Sequence, residues 1–60
     1  MENRLLRLKE VMELTSMPRS TIYAYMKKGL FPQKRNLTKK SVAWREDEIK
    51  KWIDSRELAS

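Results

Sequence analysis

In the stretch RSTIYAYMK, Arg19 to Lys27, a guanidinium, short hydroxyls, a phenol and an ammonium follow one another with no acid between them. Arg19 and Lys27 are cations at neutral pH, and Ser20, Thr21 and Tyr23 both donate and accept hydrogen bonds. A second basic group follows in QKRNLTKKS, where Arg35, Lys39 and Lys40 surround a short polar segment. The chemistry open to these types is non-covalent: charge-assisted hydrogen bonds to anionic oxygens, and donor or acceptor contacts to heterocycle edges. Covalent chemistry is hard to build. The chain has no Cys and no His, so Ser and Thr lack the usual base that activates a nucleophile. Its single glycine, Gly29, cannot make a Gly-rich phosphate loop. The pattern predicts a binding protein with no enzymatic activity, no cofactor and no metal.

The distribution of charge suggests what is bound. Of 60 residues, 14 are Lys or Arg and 8 are Asp or Glu, for a formal net charge of +6. Between Arg19 and Arg45 lie eight basic residues, the termini included, and no acidic one; three acids precede this stretch and five follow it. A solvated surface does not require that segregation, and it points to a polyanionic partner. A disulfide scaffold is excluded, and structural zinc lacks its usual ligands, so stability must come from packing Leu, Ile, Val, Met and two Trp. Sixty residues suffice for one small domain, which buries only about 60% of its unfolded surface. The longest apolar run is too short to span a bilayer and the N-terminus shows no signal-peptide core, so no membrane partner is expected. The predicted location is the cytoplasm.

The elements that must position these residues follow from periodicity and punctuation. Leu5-Leu6-Arg7-Leu8 is either a strand-like lead-in or a hydrophobic staple for the helix after it. Lys9 to Thr15 has apolar positions three or four apart and is helical; Thr15-Ser16-Met17-Pro18 interrupts it. A second helix is predicted over Arg19 to Lys28, with Ile22, Tyr25 and Met26 facing inward. Ser20, Tyr23, Ala24 and Lys27 take the opposite side, and Arg19 and Thr21 the margins. Gly29 stands where a C-cap favours a left-handed residue, Leu30-Phe31 fold back onto the core, and Pro32 prevents the helix from resuming. Lys34 to Leu37 and Ser41 to Trp44 form a small hairpin, with Val42 and Trp44 on one face and Ser41 and Ala43 on the other. From Glu46 a third helix carries Ile49, Trp52 and Ile53 as a packing stripe. Its Glu46-Asp47-Glu48 opening suits the positive end of the helix dipole.

Two short helices, a basic hairpin and a packing helix make a mainly α domain with a small β-hairpin, on a winged helix-turn-helix plan. It is a single domain over residues 1–60, with 1–4 and 57–60 frayed. In such a plan the second helix enters a major groove and the hairpin holds the neighbouring backbone or minor groove. Double-stranded DNA is therefore the expected partner, and Arg19, Ser20, Thr21, Tyr23, Lys27, Arg35, Lys39 and Lys40 the expected contacts. Tyr23 is expected to face outward, so that Tyr23→Ala weakens binding and leaves the fold intact, the alternative being lateral packing against the hairpin; Tyr25, Trp44 and Trp52 are expected in the core. Five or six phosphate contacts would give a log–log salt slope of roughly −5.

The same residues carry a family resemblance. Arg4-Leu5-Leu6-Arg7-Leu8-Lys9-Glu10-Val11, Arg19-Ser20-Thr21-Ile22-Tyr23, Gly29-x-Phe31-Pro32, Val42-Ala43-Trp44-Arg45 and Ile49-x-x-Trp52-Ile53 resemble, in this order and spacing, the AlpA family of short prophage regulators. More distantly they resemble the DNA-binding domains of MerR-like regulators and of phage excisionases. The resemblance implies a sequence-specific DNA binder of a prophage or other mobile element, acting on transcription, on integrase or excision genes, or as an excisionase. It also implies further copies on adjacent sites, and integrase or RNA polymerase as possible partners. MerR-type regulators continue into a dimerisation helix and effector domain, and with the sequence ending at Ser60 no ligand sensor is expected. Two positions depart from the family pattern: Ser16 stands at the turn glycine, and Pro18 replaces a Ser or Thr N-cap. The rival reading is a small cationic adaptor that binds an acidic protein without reading DNA; single-stranded RNA is a weaker rival, because several stacking aromatics on one sheet are lacking.

Overall fold

A computed structural model describes residues 4–57. The elements run β1 (Leu5–Leu6), α1 (Leu8–Thr15), α2 (Arg19–Lys27), β2 (Arg35–Asn36), β3 (Val42–Arg45) and α3 (Glu46–Asp54). The strands form one antiparallel sheet in the order β1-β3-β2. This is a winged helix-turn-helix: α1 and α2 are the paired helices, and the β2–β3 hairpin is the wing.

The lead-in is a strand. Leu5 pairs with Arg45 and Leu6 with Trp44, so β3 is the central strand and the expected hairpin is part of a three-stranded sheet. That placement explains a departure from simple alternation: Ala43 is buried as fully as Trp44, and Val42 only half. Of the ends expected to fray, residues 1–3 and 58–60 lie outside the described residues. Arg4 is held in place. Its carbonyl accepts the Glu46 N–H at 2.8 Å, and its guanidinium meets Glu10 at 2.6 Å and Glu46 at 3.5 Å. One orphan donor of α3 is thus satisfied by the chain entering β1.

Each helix boundary has a local cause. The Glu10 carboxylate reaches back to accept the Arg7 N–H at 2.9 Å, closing the first turn of α1. Arg7 has no acceptor with which to return the bond, and its guanidinium instead donates to the Val42 carbonyl at 3.3 Å. At the other end Thr15 Oγ1 donates to the Val11 carbonyl at 2.8 Å and accepts the Met17 N–H at 3.3 Å. Ser16 then turns the chain with φ 58° and ψ 27°, a left-handed conformation that a non-glycine residue holds at some cost. Pro18 is the N-cap of α2 and offers no side-chain acceptor, although its carbonyl accepts the N–H groups of Thr21 and Ile22.

The end of α2 is a Schellman motif. The Leu30 N–H bonds to the Tyr25 carbonyl at 2.8 Å and the Gly29 N–H to that of Met26 at 3.0 Å, with Gly29 at φ 74°. Lys28 is therefore the C-cap rather than a last helical residue. Phe31 enters the core as expected. Leu30 does not: it is 54% exposed, because the motif uses its backbone and leaves its side chain outside.

Leu6, Val11, Ile22, Met26, Phe31, Trp44 and Ile49 make the core, with one or more residues from every element except β2. Met12 and Met17 pack against it with Met26, a structural use for three of the four methionines as flexible filling in a thin core. Tyr25 and Trp52 are half-buried at its edge. Trp44 Nε1–H donates to the Pro32 carbonyl at 3.1 Å, and Trp52 Nε1–H to that of Leu30 at 2.8 Å. Trp52 also meets Phe31 edge-on, with centroids 4.7 Å apart. The two indoles thus fix the segment that leaves α2 for the wing.

Candidate nucleic-acid interface

The outer side of α2 is set by what its inner side must bury. Ile22 and Met26 face the core, so residues about half a turn away from them, Ser20, Ala24 and Lys27, are exposed, as is Arg19. Thr21 is half-buried on the flank shared with Tyr25. Tyr23 departs from the expectation of an outward aromatic. It is half-buried and packs on the edge of the core, meeting Trp44 with centroids 6.5 Å apart and planes at 74°. The reason is the wing: β3 carries Trp44 close enough to give the phenol ring a partner. The Arg19 guanidinium lies 5.5 Å from the Tyr23 ring centroid, and the Lys34 ammonium 5.7 Å from it. Cations over an aromatic face are attracted to it by about 0.5–1 kcal/mol at exposed sites.

The wing is short and closed by its own side chains. Arg35 pairs with Ala43 and Asn36 with Val42, and the Leu37 N–H bonds to the Ser41 carbonyl at 2.8 Å. Thr38 Oγ1 accepts the Lys40 N–H at 3.2 Å, a hydroxyl turn that does the work of the missing Asn-Gly. Lys39 and Lys40 are exposed at the tip. Arg35 is not free in the same way. Its guanidinium is engaged by Glu48 at 2.6 Å, toward α3. Successive side chains in extended backbone alternate in direction, so Lys34 turns toward α2 where Arg35 turns toward α3.

Acids and bases are sorted by these contacts. Glu10, Glu46, Asp47 and Glu48 each have an arginine partner. Arg45 grips Asp47 with two bonds of 3.1 Å, and Asp47 also accepts the Glu48 N–H at 2.9 Å. The Arg45 hydrogen bond holds the Asp47 carboxyl below its ordinary value, and the same bond raises the Arg45 guanidinium above its own. The acidic opening of α3 is thus a set of ion pairs as well as a dipole partner. Among the described residues Arg19, Lys27, Lys28, Lys34, Lys39 and Lys40 form no ion pair. These six cations belong to α2, the turn after it and the wing, where no acid interrupts them; Arg7, Lys9, Lys51 and Arg56 also form none but are interspersed with acids on and beside α1 and α3.

The structure therefore brings Arg19, Tyr23 and Lys27 onto α2 beside the base of the wing, leaves Ser20 exposed beside Arg19, sets Thr21 to one side and directs Arg35 elsewhere. The sequence reading missed Lys34 and Gln33. Gln33 Nε2–H donates to the Met26 carbonyl at 3.0 Å and reaches the Phe31 carbonyl at 3.4 Å, tying the wing base to the end of α2. The signal for Lys34 was its alternation with Arg35. No helix among the described residues is long and apolar enough to cross a membrane.

The comparisons with known proteins agree with this architecture. The family described as "Prophage CP4-57 regulatory protein (AlpA)" matches residues 4–57. A protein of Enterobacteria phage P4, described as "Uncharacterized protein ORF88", is 44% identical over 55 residues, which is 92% of this chain and 62% of the relative. The "DNA-binding transcriptional activator AlpA" of Escherichia coli (strain K12) is 42% identical over 59 residues, or 88% of this chain and 84% of the relative. The chain thus spans less than two thirds of the phage P4 relative's length and most of the length of the E. coli one. With its two short helices, its wing and these likenesses, the chain belongs to the AlpA family of prophage regulatory proteins.

Proposed function

We propose that this protein is a sequence-specific double-stranded DNA-binding regulator of a prophage or related element, with α2 in a major groove and the wing on the adjacent backbone. The observation that carries this reading is the charge of α2 and the wing: no acid lies between Arg19 and Arg45, and Arg19, Lys27, Lys28, Lys34, Lys39 and Lys40 meet no carboxylate among the described residues, while Glu10, Glu46, Asp47 and Glu48 are each held by an arginine. Such a surface neutralises phosphates while Arg19 and Ser20 stand at the N-terminal end of α2, where base edges are read in helix-turn-helix docking. The activator described for E. coli supports regulation of transcription as the outcome. Control of an integrase or excision gene, or action as an excisionase, is the finer form of the same proposal. With one small module, specificity is gained by several copies on adjacent or repeated sites, with integrase or RNA polymerase as a second partner.

The test is a gel-shift titration against DNA fragments tiled across the protein's own genomic neighbourhood, at two salt concentrations. One fragment bound far more tightly than the others, with strong salt dependence, supports the reading and locates the site. Equal weak binding to every fragment removes it and leaves the cationic adaptor in its place.

A further inference from the structure

Between α2 and the base of the wing lies an open cleft lined by Tyr23, Met26, Lys27, Gln33 and Lys34. Its floor is aromatic and apolar, and at its rim stand two ammonium groups that meet no carboxylate among the described residues. Four of the five lining residues are held by contacts of their own. Tyr23 is fixed against Trp44, Met26 is in the core, and Gln33 has its amide donors on the Met26 and Phe31 carbonyls. Lys34 is drawn over the Tyr23 ring, where its ammonium lies 5.7 Å from the centroid. The ammonium is thus partly ordered in advance, although no carboxylate among the described residues neutralises it. Across the cleft Lys27 supplies the second cation, from a different element.

We infer that this cleft is a subsite for one backbone phosphodiester, held by Lys27 and Lys34, and that Lys34, not Arg35, is the cation of the wing base that reaches DNA. The inference rests on the DNA-binding reading and adds a site and a residue to it. A diester oxygen is the ligand that suits two ammonium donors beside an apolar floor, since it is anionic, singly charged and carries apolar sugar carbons on either side. Tyr23 acts as a positioning residue: its ring orients Arg19 and Lys34, one from α2 and one from the wing, so that both face the same strand. Arg35, adjacent in sequence, is directed to Glu48 and contributes little net charge to that face.

The experiment compares the salt dependence of specific DNA binding for the wild type, Lys34→Gln, Lys34→Arg and Arg35→Gln, with a thermal melt of each. Loss of one phosphate contact lowers the log–log slope by about 0.9. Lys34→Gln should therefore lose about 3.5-fold less affinity than the wild type between 50 and 200 mM salt. Lys34→Arg should restore the wild-type slope, and Arg35→Gln should leave it nearly unchanged. If Lys34→Gln disturbs the melt, Lys34→Met keeps the aliphatic stem on Tyr23 and replaces it in the comparison. A steep wild-type slope with the loss appearing in Arg35→Gln instead of the Lys34 variants overturns the subsite and leaves DNA binding intact. A shallow wild-type slope with no preferred fragment overturns the DNA reading itself.

Discussion

The Tyr23 ring meets the Trp44 indole edge-on at 6.5 Å, joining the helix proposed to read DNA to the central strand of the sheet. An aromatic expected to face outward therefore also serves the fold, by the packing against the hairpin that was its alternative. Tyr23→Ala should destabilise the protein by about 1–2 kcal/mol: less than a full core truncation, because the ring is half-buried, but including an aromatic pair worth about 0.5–1.5 kcal/mol. In a domain of this size that is a fall in Tm of at least about 4 °C. Tyr23→Phe should keep the melt within about 0.5 kcal/mol of the wild type. Should Tyr23→Ala melt as the wild type does, the Trp44 contact carries no stability, and Tyr23 is a surface residue after all.

The turn between α1 and α2 stores a little strain. Ser16 sits at φ 58°, and a left-handed residue other than glycine costs about 1–2 kcal/mol in backbone energy. Glycine removes that cost but adds unfolded-state entropy, so Ser16→Gly should stabilise by about 0.5–1 kcal/mol. Ser16→Val should destabilise by more, because branching at Cβ worsens the left-handed conformation. Denaturant titrations of both variants give the ordering Gly above Ser above Val. An unchanged midpoint in Ser16→Gly means the turn is already relaxed.

The Arg45–Asp47 pair sets a pH dependence. The Asp47 carboxyl is held below its ordinary value, chiefly by the Arg45 hydrogen bond. A carboxylate whose folded value is depressed stabilises fully above its unfolded value, about 3.9, and that stability is lost as pH falls through the folded one. Stability should thus be flat from neutral pH down to about 4 and decline below it. Asp47→Asn should make the low-pH decline shallower. Thermal melts from pH 7 to pH 2 on the two proteins read this out, and parallel curves would show that the pair stabilises nothing.

The fold was legible wherever one residue type has one physical reason to stand where it does. Gly29 marked the end of α2 because a Schellman motif needs a left-handed C′ residue, and Pro18 and Pro32 bounded the segment because neither continues a helix. What pairs across long sequence separations was not legible. Nothing local in Leu5-Leu6 distinguishes a strand from a staple; the pairing of Leu5 with Arg45 decides it, and it also accounts for the burial of Ala43. The site shows the same division. Ser20 and Lys27 were placed on the outer face, and Arg19 at its margin, by the 100° period of α2. For Tyr23, Lys34 and Arg35, the neighbour on another element decides, and Trp44, Tyr23 and Glu48 lie 21, 11 and 13 positions away in sequence, respectively. Composition ranks the cations of the wing as equals; only their partners separate them.

Those partners make Glu48 a control point for the wing. In the wild type it engages Arg35 at 2.6 Å on the side of the wing that faces α3, and both side chains are partly exposed. An exposed pair of this kind contributes about 0–1 kcal/mol, so Glu48→Gln should cost little stability beyond a few tenths from the helix dipole. Its larger effect should be on binding. Removing one acid changes the formal net charge from +6 to +7 and leaves the Arg35 guanidinium without its carboxylate. A freed guanidinium that swings to the strand adds one phosphate contact, steepening the salt slope by about 0.9 and raising affinity at low salt several-fold. A gel-shift salt series on Glu48→Gln, with the double variant Glu48→Gln/Arg35→Gln as control, measures this directly. The gain should vanish in the double variant. If Glu48→Gln leaves the slope at the wild-type value, Arg35 does not reach DNA even when released, and the wing binds through Lys34 and the lysines of its tip alone.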